Sequence, residues 1–358
     1  MPGQDFGQGM EKLQNLQMMR AIAAILVVWA HAIDLVAKRQ IDAFQVSWGA
    51  LENFGAVGVD VFFVISGFIV SLTAERSRSV TQFLLARLVR IWPLYLIATV
   101  VVFAVDPAAR SLATLGWSVV FLQVPGLPAG MPTHPLGWSL MFEAVFYLML
   151  AGAMCWRSQR PMPERVLIIG SAAILVAGVS GFHQPMNIIG NPIIIEFLLG
   201  VVIGWVYRRR PELPAWVTSG LFVAGTVMLL STAMYGFGSI SEAPQTLDTS
   251  LSWDRVRLWG IPAALLVASA VLRKNATAAA ARPLVFLGDS SYSIYLFSFV
   301  ALLLLDRGWD IWAPSSSDIA ILIATIVAVL FGLVFYVILE RPLTAALRTT
   351  IAMRLAKT

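Results

Sequence analysis

The chain has 358 residues, 58% of them hydrophobic and only 13% charged, with a mean hydropathy of +0.79 and a formal net charge of +5. That balance excludes a soluble globular domain, and apolar segments of helical length, without the short alternating segments of an outer-membrane barrel, leave a helical integral membrane protein. One cysteine, Cys155, excludes an internal disulfide, the three histidines (His31, His134, His183) show no metal-ligand spacing, and the basic residues form short clusters between apolar segments instead of a nucleic-acid stripe.

Ten membrane spans are predicted, at 16–36, 55–74, 83–105, 137–155, 165–182, 190–207, 215–236, 256–272, 285–305 and 318–339. The fold class is an all-α bundle of about ten transmembrane helices, spanning 16–340 between an N-terminal tail (1–15) and a C-terminal tail (341–358). With both termini in the cytoplasm, 19 of the 25 basic residues fall inside, from Lys12 to Lys357, and Lys38, Arg39, Arg110, Arg255, Arg257 and Arg307 fall outside.

The first span carries Arg20 and His31 inside an otherwise apolar run. Eleven residues at ~100° each come within about 20° of three full turns, so the two side chains share a face about 16 Å apart. Ionisable groups at that depth mark an interior or a cavity, although Arg20 also suits a snorkelling residue and His31 a packing residue. Lys12 and Arg20 before Ala21 to Ala30, with Ala30-His31-Ala32 after them, also fit a signal peptide. The return of apolar residues at Ile33, Leu35 and Val36 and the polytopic remainder favour a retained span.

Asp60 lies in the second span at a depth similar to His31, and Gly55, Gly58, Ser66 and Gly67 would let spans 1 and 2 pack closely enough for the two to meet. Span 3 opens with Arg87 and Arg90 on one face, a fork suited to phosphate or to positive-inside flanking, followed by Pro93 and Tyr95. The apolar piece Leu112 to Val124 is too short to span and reads as interfacial or re-entrant. Span 4 begins Trp138-Ser139 and continues to Glu143 and Tyr147, a third ionisable group at nearly the same depth. His134 and His183 read as loop residues, and the connection 236–253, with Glu242, Asp248 and Asp254, as a solvated connector. Span 9 follows Ser290-Ser291-Tyr292-Ser293-Ile294-Tyr295, whose hydroxyls either line a cofactor passage or bond across helices.

Together these pieces resemble the membrane-bound acyltransferase family 3, polytopic enzymes that O-acylate exported and cell-surface carbohydrates. The resemblance rests on Arg20 to His31, the segment Gly58 to Phe68, R-x-x-R-x-x-P-x-Y at Arg87 to Tyr95, W-S-L-x-x-E-x-x-x-Y at Trp138 to Tyr147, the SYSIYL segment, and Glu340-Arg341-Pro342. It implies acetyl-CoA as acyl donor, with no metal, bound by Arg20, Arg87, Arg90 and Tyr95. It implies His31 as general base, Asp60 or Glu143 as its orienting carboxylate, and Trp138, Ser139 and Tyr147 at the carbohydrate acceptor, free or lipid-linked. It also implies a stand-alone enzyme of the bacterial cytoplasmic (inner) membrane, in contact with lipids and not nucleic acid. One departure from the pattern is Phe297-Ser298-Phe299, where many relatives carry a histidine. A proton-coupled transporter of a small polar solute is the rival reading of the same buried charges, weakened by the lack of an internal repeat.

Overall fold

A computed structural model describes residues 13–39, 54–106, 111–210, 212–234, 243–274 and 281–355. Lys12, Arg110, Glu242 and Lys357, and the tail residues 1–12, lie outside them. The described residues form helices and no strand. In chain order they are α1 (Gln14–Arg39), α2 (Val57–Arg76), α3 (Val80–Val105), the short α4 (Leu112–Val119), α5 (Gly137–Cys155), α6 (Met162–Val179), α7 (Ile194–Arg209) and α8 (Ala215–Met234). Next comes α9, a compound helix of Ser252–Arg255, a π-turn at Val256–Gly260, and Ile261–Val271. Then α10 (Arg282–Asp289) and α11 (Ser291–Arg307) meet at Ser290, and α12 (Ser317–Phe335) passes through a second π-turn, Tyr336–Glu340, into α13 (Arg341–Leu355).

Among the described residues eight helices are long and apolar enough to cross a membrane, or nine if α10 and α11, bent by 69°, count as one span. The remaining predicted span, 256–272, is helical too, but Asp254, Arg255 and Arg257 bring charge into its start, and the π-turn leaves Ile261–Val271 with only 11 regular residues. The piece 112–124 forms one short helix followed by turns. Local chemistry sets several boundaries. Ser79 and Ser111 cap α3 and α4 by accepting from the backbone N–H of Gln82 and Thr114. Ser290 Oγ lies 2.9 Å and 3.1 Å from the carbonyls of Phe286 and Leu287, closing α10 just where the chain turns.

The bundle is built on α1, which packs against α2, α10, α11 and α12. A Cβ at Gly58 would collide with the Ala23 carbonyl, so the backbones of α1 and α2 touch, as the glycines of span 2 predict. Gly67, expected on the same seam, faces the opposite way, because nine residues are about two and a half turns. It meets the Phe197 carbonyl of α7, while Gly200 of α7 meets that of Val64. Thus α2 is clamped between α1 and α7, and its remaining face looks into the centre of the bundle.

Candidate active site

A cavity opens between α1, α2, α3, α5 and α11. Helical spacing delivers its polar groups: Arg87 and Arg90 sit at i and i+3 on α3, and Ser139, Glu143 and Tyr147 sit at i, i+4 and i+8 on α5. Arg20 joins them from α1, Ser66 from α2, and Ser291, Tyr292 and Tyr295 from α11. The intervening wall is apolar, contributed by Phe62, Ile65, Ile69 and Val70.

A half-buried carboxylate within a membrane span needs donors. Glu143 has two, since its Oε1 accepts from Ser66 Oγ at 2.7 Å and from Tyr147 OH at 2.5 Å. Arg20, 8% exposed, donates to Gln17 Oε1 at 3.2 Å and lies within electrostatic reach of Arg90, Glu340, Asp289 and Glu143. Glu340 is itself held by Ser293, whose Oγ donates at 2.6 Å and whose backbone N–H donates at 3.2 Å. Tyr292 OH donates to the Ile91 carbonyl at 2.8 Å, and Ser139 Oγ and Tyr295 OH pair at 2.8 Å, so α11 is fixed to both α3 and α5. Chemically, this is a slot lined by guanidinium groups, one hydrogen-bonded carboxylate, hydroxyls and hydrocarbon. It suits an anionic group joined to a long, weakly polar arm.

Six of the predicted site residues share this cavity: Arg20, Arg87, Arg90, Ser139, Glu143 and Tyr147. His31, Asp60, Tyr95 and Trp138 do not line it. Asp60 is wholly buried and receives Nε and Nη2 of Arg255, each at 2.9 Å. With both oxygens occupied by a guanidinium from α9, Asp60 does not orient His31. Trp138, expected at the acceptor, instead covers that ion pair: Arg255 lies 5.2 Å from its ring and 5.0 Å from the ring of Trp259. Tyr95, expected at the donor, points to the α4 side, where its hydroxyl donates to the Ser118 carbonyl at 3.3 Å and its ring stacks on Phe121 at 5.0 Å.

His31 stands apart from the cavity, 33% exposed. Its carboxylate neighbour is Asp34, one turn on, with Nδ1 and Oδ2 3.5 Å apart, and its ring meets the edge of Phe299 at 6.3 Å. Between Arg20 and His31 the face of α1 is closed by buried Ala24, Val27 and Val28, with Phe62 packed on them, and Phe62 meets Tyr295 edge-on at 6.1 Å. The expected continuous polar path from Arg20 to His31 is therefore interrupted by an apolar layer. His134, expected as an ordinary loop residue, does precede α5 but is fully buried, its Nε2 3.1 Å from the Leu296 carbonyl.

Several polar groups escape the sequence reading. Arg255 reads as an outer flanking residue because it stands between Asp254 and Arg257, yet it is the fully buried partner of Asp60. Glu196 had a readable signal, a lone carboxylate in an apolar span. It is wholly buried beside Asp60, with which it interacts side chain to side chain, and within electrostatic reach of Arg255. Asp34 was equally legible, three residues beyond His31.

Comparison with known proteins accords with this architecture. The chain is 32% identical over 310 residues to the exopolysaccharide production protein ExoZ of Rhizobium meliloti, covering 81% of this chain and 90% of that one. It is 27% identical over 376 residues to the acyltransferase MdmB of Streptomyces mycarofaciens, covering 92% and 91% of the two chains. Against the peptidoglycan O-acetyltransferase OatA of Listeria monocytogenes it is 24% identical over 334 residues, covering 83% of this chain but 50% of OatA. No solved structure matches. The model of the family described as an acyltransferase domain, acyltransferase family 3, matches residues 13–339, and the chain, a multi-pass membrane protein, belongs to that family.

Proposed function

We propose that the protein transfers an acetyl group from acetyl-CoA, drawn from the cytoplasm, to a hydroxyl of an exported or cell-surface carbohydrate, in the bacterial inner membrane. The observation that carries this reading is the convergence of Arg20, Arg87 and Arg90 on one intramembrane cavity in a chain of an acyltransferase family. The donor's phosphates suit the guanidinium groups, and its pantetheine arm suits the wall of Phe62, Ile65, Ile69 and Val70. The names of ExoZ and OatA support a carbohydrate acceptor, and the excess of basic residues on one side supports a cytoplasmic mouth.

In this reading His31 is the general base. The sugar hydroxyl oxygen attacks the acetyl carbonyl carbon while His31 takes its proton; the carbon–sulfur bond breaks, and the departing thiolate recovers a proton from the imidazolium. The 3.5 Å contact of Asp34 with Nδ1 supports this role, since a carboxylate there would fix the imidazole and leave Nε2 for the hydroxyl. Transfer then requires Phe62 and Tyr295 to yield between the cavity and His31. One specific observation favours a second assignment: Glu143 already lies inside the cavity.

Single-turnover transfer of labelled acetyl-CoA tests both. His31→Ala should retain CoA binding and lose transfer, whereas Glu143→Gln should keep a measurable rate. The reverse outcome would reject His31 in favour of Glu143.

A further inference from the structure

The break between α10 and α11 puts the start of a 17-residue helix against the cavity, within the membrane-spanning part of the chain. A helix start carries orphan N–H donors and a partial positive charge, and within a bilayer no water is at hand to meet them. The residue in the N-cap position, Ser290, provides no side-chain cap, because its hydroxyl is turned back on the carbonyls of Phe286 and Leu287. One orphan donor, the Ser293 N–H, is met by the Glu340 carboxylate, so this terminus already holds one anion.

The neighbouring Ser291 is different. It is fully buried, it lines the cavity together with Arg20, Arg87 and Arg90, and its Oγ has no hydrogen-bond partner among the described residues. A buried hydroxyl without a partner is costly, and here it adjoins a positive helix start and a guanidinium cluster.

We infer that the first turn of α11, with Ser291 Oγ and the cavity-lining arginines, is a built subsite for a phosphoryl oxyanion. This rests on the donor reading above, in which the phosphoryl group belongs to CoA; a phospholipid headgroup offers the same chemistry. The subsite works as intramembrane half-helix starts do elsewhere, adding directed donors to a charge cluster that alone has little directionality.

The test uses the full chain in detergent micelles, with calorimetric binding of inorganic pyrophosphate, CoA and pantetheine. Pyrophosphate and CoA should bind wild type, and Ser291→Ala should weaken both by roughly ten- to a hundredfold, the scale of one hydrogen bond to a charged group. Pantetheine, which lacks phosphate, should be insensitive to the change. Ser291→Asp should abolish pyrophosphate binding by repulsion, and Ser291→Thr should restore it, which separates this role from a packing defect. If Ser291→Ala binds pyrophosphate and CoA like wild type, the subsite is refuted while the donor reading stands. If pyrophosphate binding depends on Ser291 but only phosphatidic acid, and not CoA, competes for it, the site belongs to a lipid headgroup and its assignment to the donor falls. Failure of wild type to bind pyrophosphate at all would also refute it.

Discussion

The buried pair of Asp60 and Arg255 gives the sharpest prediction, because it reverses the role expected for Asp60. In Arg255→Met the two hydrogen bonds at 2.9 Å and the two tryptophan faces at 5.2 and 5.0 Å are lost. The larger cost is the Asp60 carboxylate left uncompensated in a dry interior, and breaking such a pair from one side costs about 3–5 kcal/mol. At an unfolding entropy of roughly 2.1 cal/mol/K per residue, a chain of this length shifts by about 1.3 °C per kcal/mol, so the melting midpoint should fall by about 4–7 °C. Asp60→Asn strands the guanidinium and should fall within the same range. The double variant Asp60→Leu with Arg255→Met should recover most of the loss, since replacing both charges by apolar groups is often neutral. Tryptophan fluorescence during thermal unfolding in micelles reads this directly, with Trp138 and Trp259 beside the pair. If Asp60→Asn melts like wild type yet loses acyl transfer, the structural role assigned here is wrong and Asp60 acts on the chemistry.

Arg87→Ala and Arg90→Ala should each weaken CoA binding by about 2–5 kcal/mol, upward of thirtyfold in Kd, while the protein stays folded; unchanged affinity by calorimetry would remove the arginines from the donor site. Tyr147→Phe takes one of two donors from the half-buried Glu143 and should cost roughly 1.5–3 kcal/mol of stability. A loss within about 0.5 kcal/mol, the ordinary range of surface changes, would mean that the short bond contributes little. Gly67→Ala sets a methyl against the Phe197 carbonyl and should separate α2 from α7, at roughly 1–3 kcal/mol for overpacking. A melting midpoint equal to wild type would show that α7 shifts freely.

Much of the architecture was legible because bilayer-length apolar runs are a strong signal, and the spacing of charges along single helices is exact arithmetic. The groups that meet in the cavity, Arg87 with Arg90 and Ser139 with Glu143 and Tyr147, each share a helix face, which needs no tertiary knowledge. Pairing between helices was not legible. Asp60 and Arg255 are 195 residues apart, and Arg255 reads as an outer flanking residue, so similar depth in the membrane pointed Asp60 to His31 instead. The side on which Gly67 would pack was readable from periodicity, yet its partner helix was not, because several spans offer small residues. Tyr95 looked like part of the arginine motif by proximity along α3, but the helix carries its ring past the cavity to Phe121.

In the reading proposed above, the apolar layer formed by Ala24, Val27, Val28 and Phe62 has a physiological consequence. An enzyme that collects one substrate from each face of an energised membrane would short-circuit the proton gradient if the donor cavity opened freely to the surroundings of His31 at rest. A dry septum one or two side chains thick keeps the bilayer insulating and keeps solvent from the far face away from the activated thioester. Liposomes carrying the protein should therefore hold a pH gradient as well as empty ones do, and Phe62→Ala is the change that should make them leak.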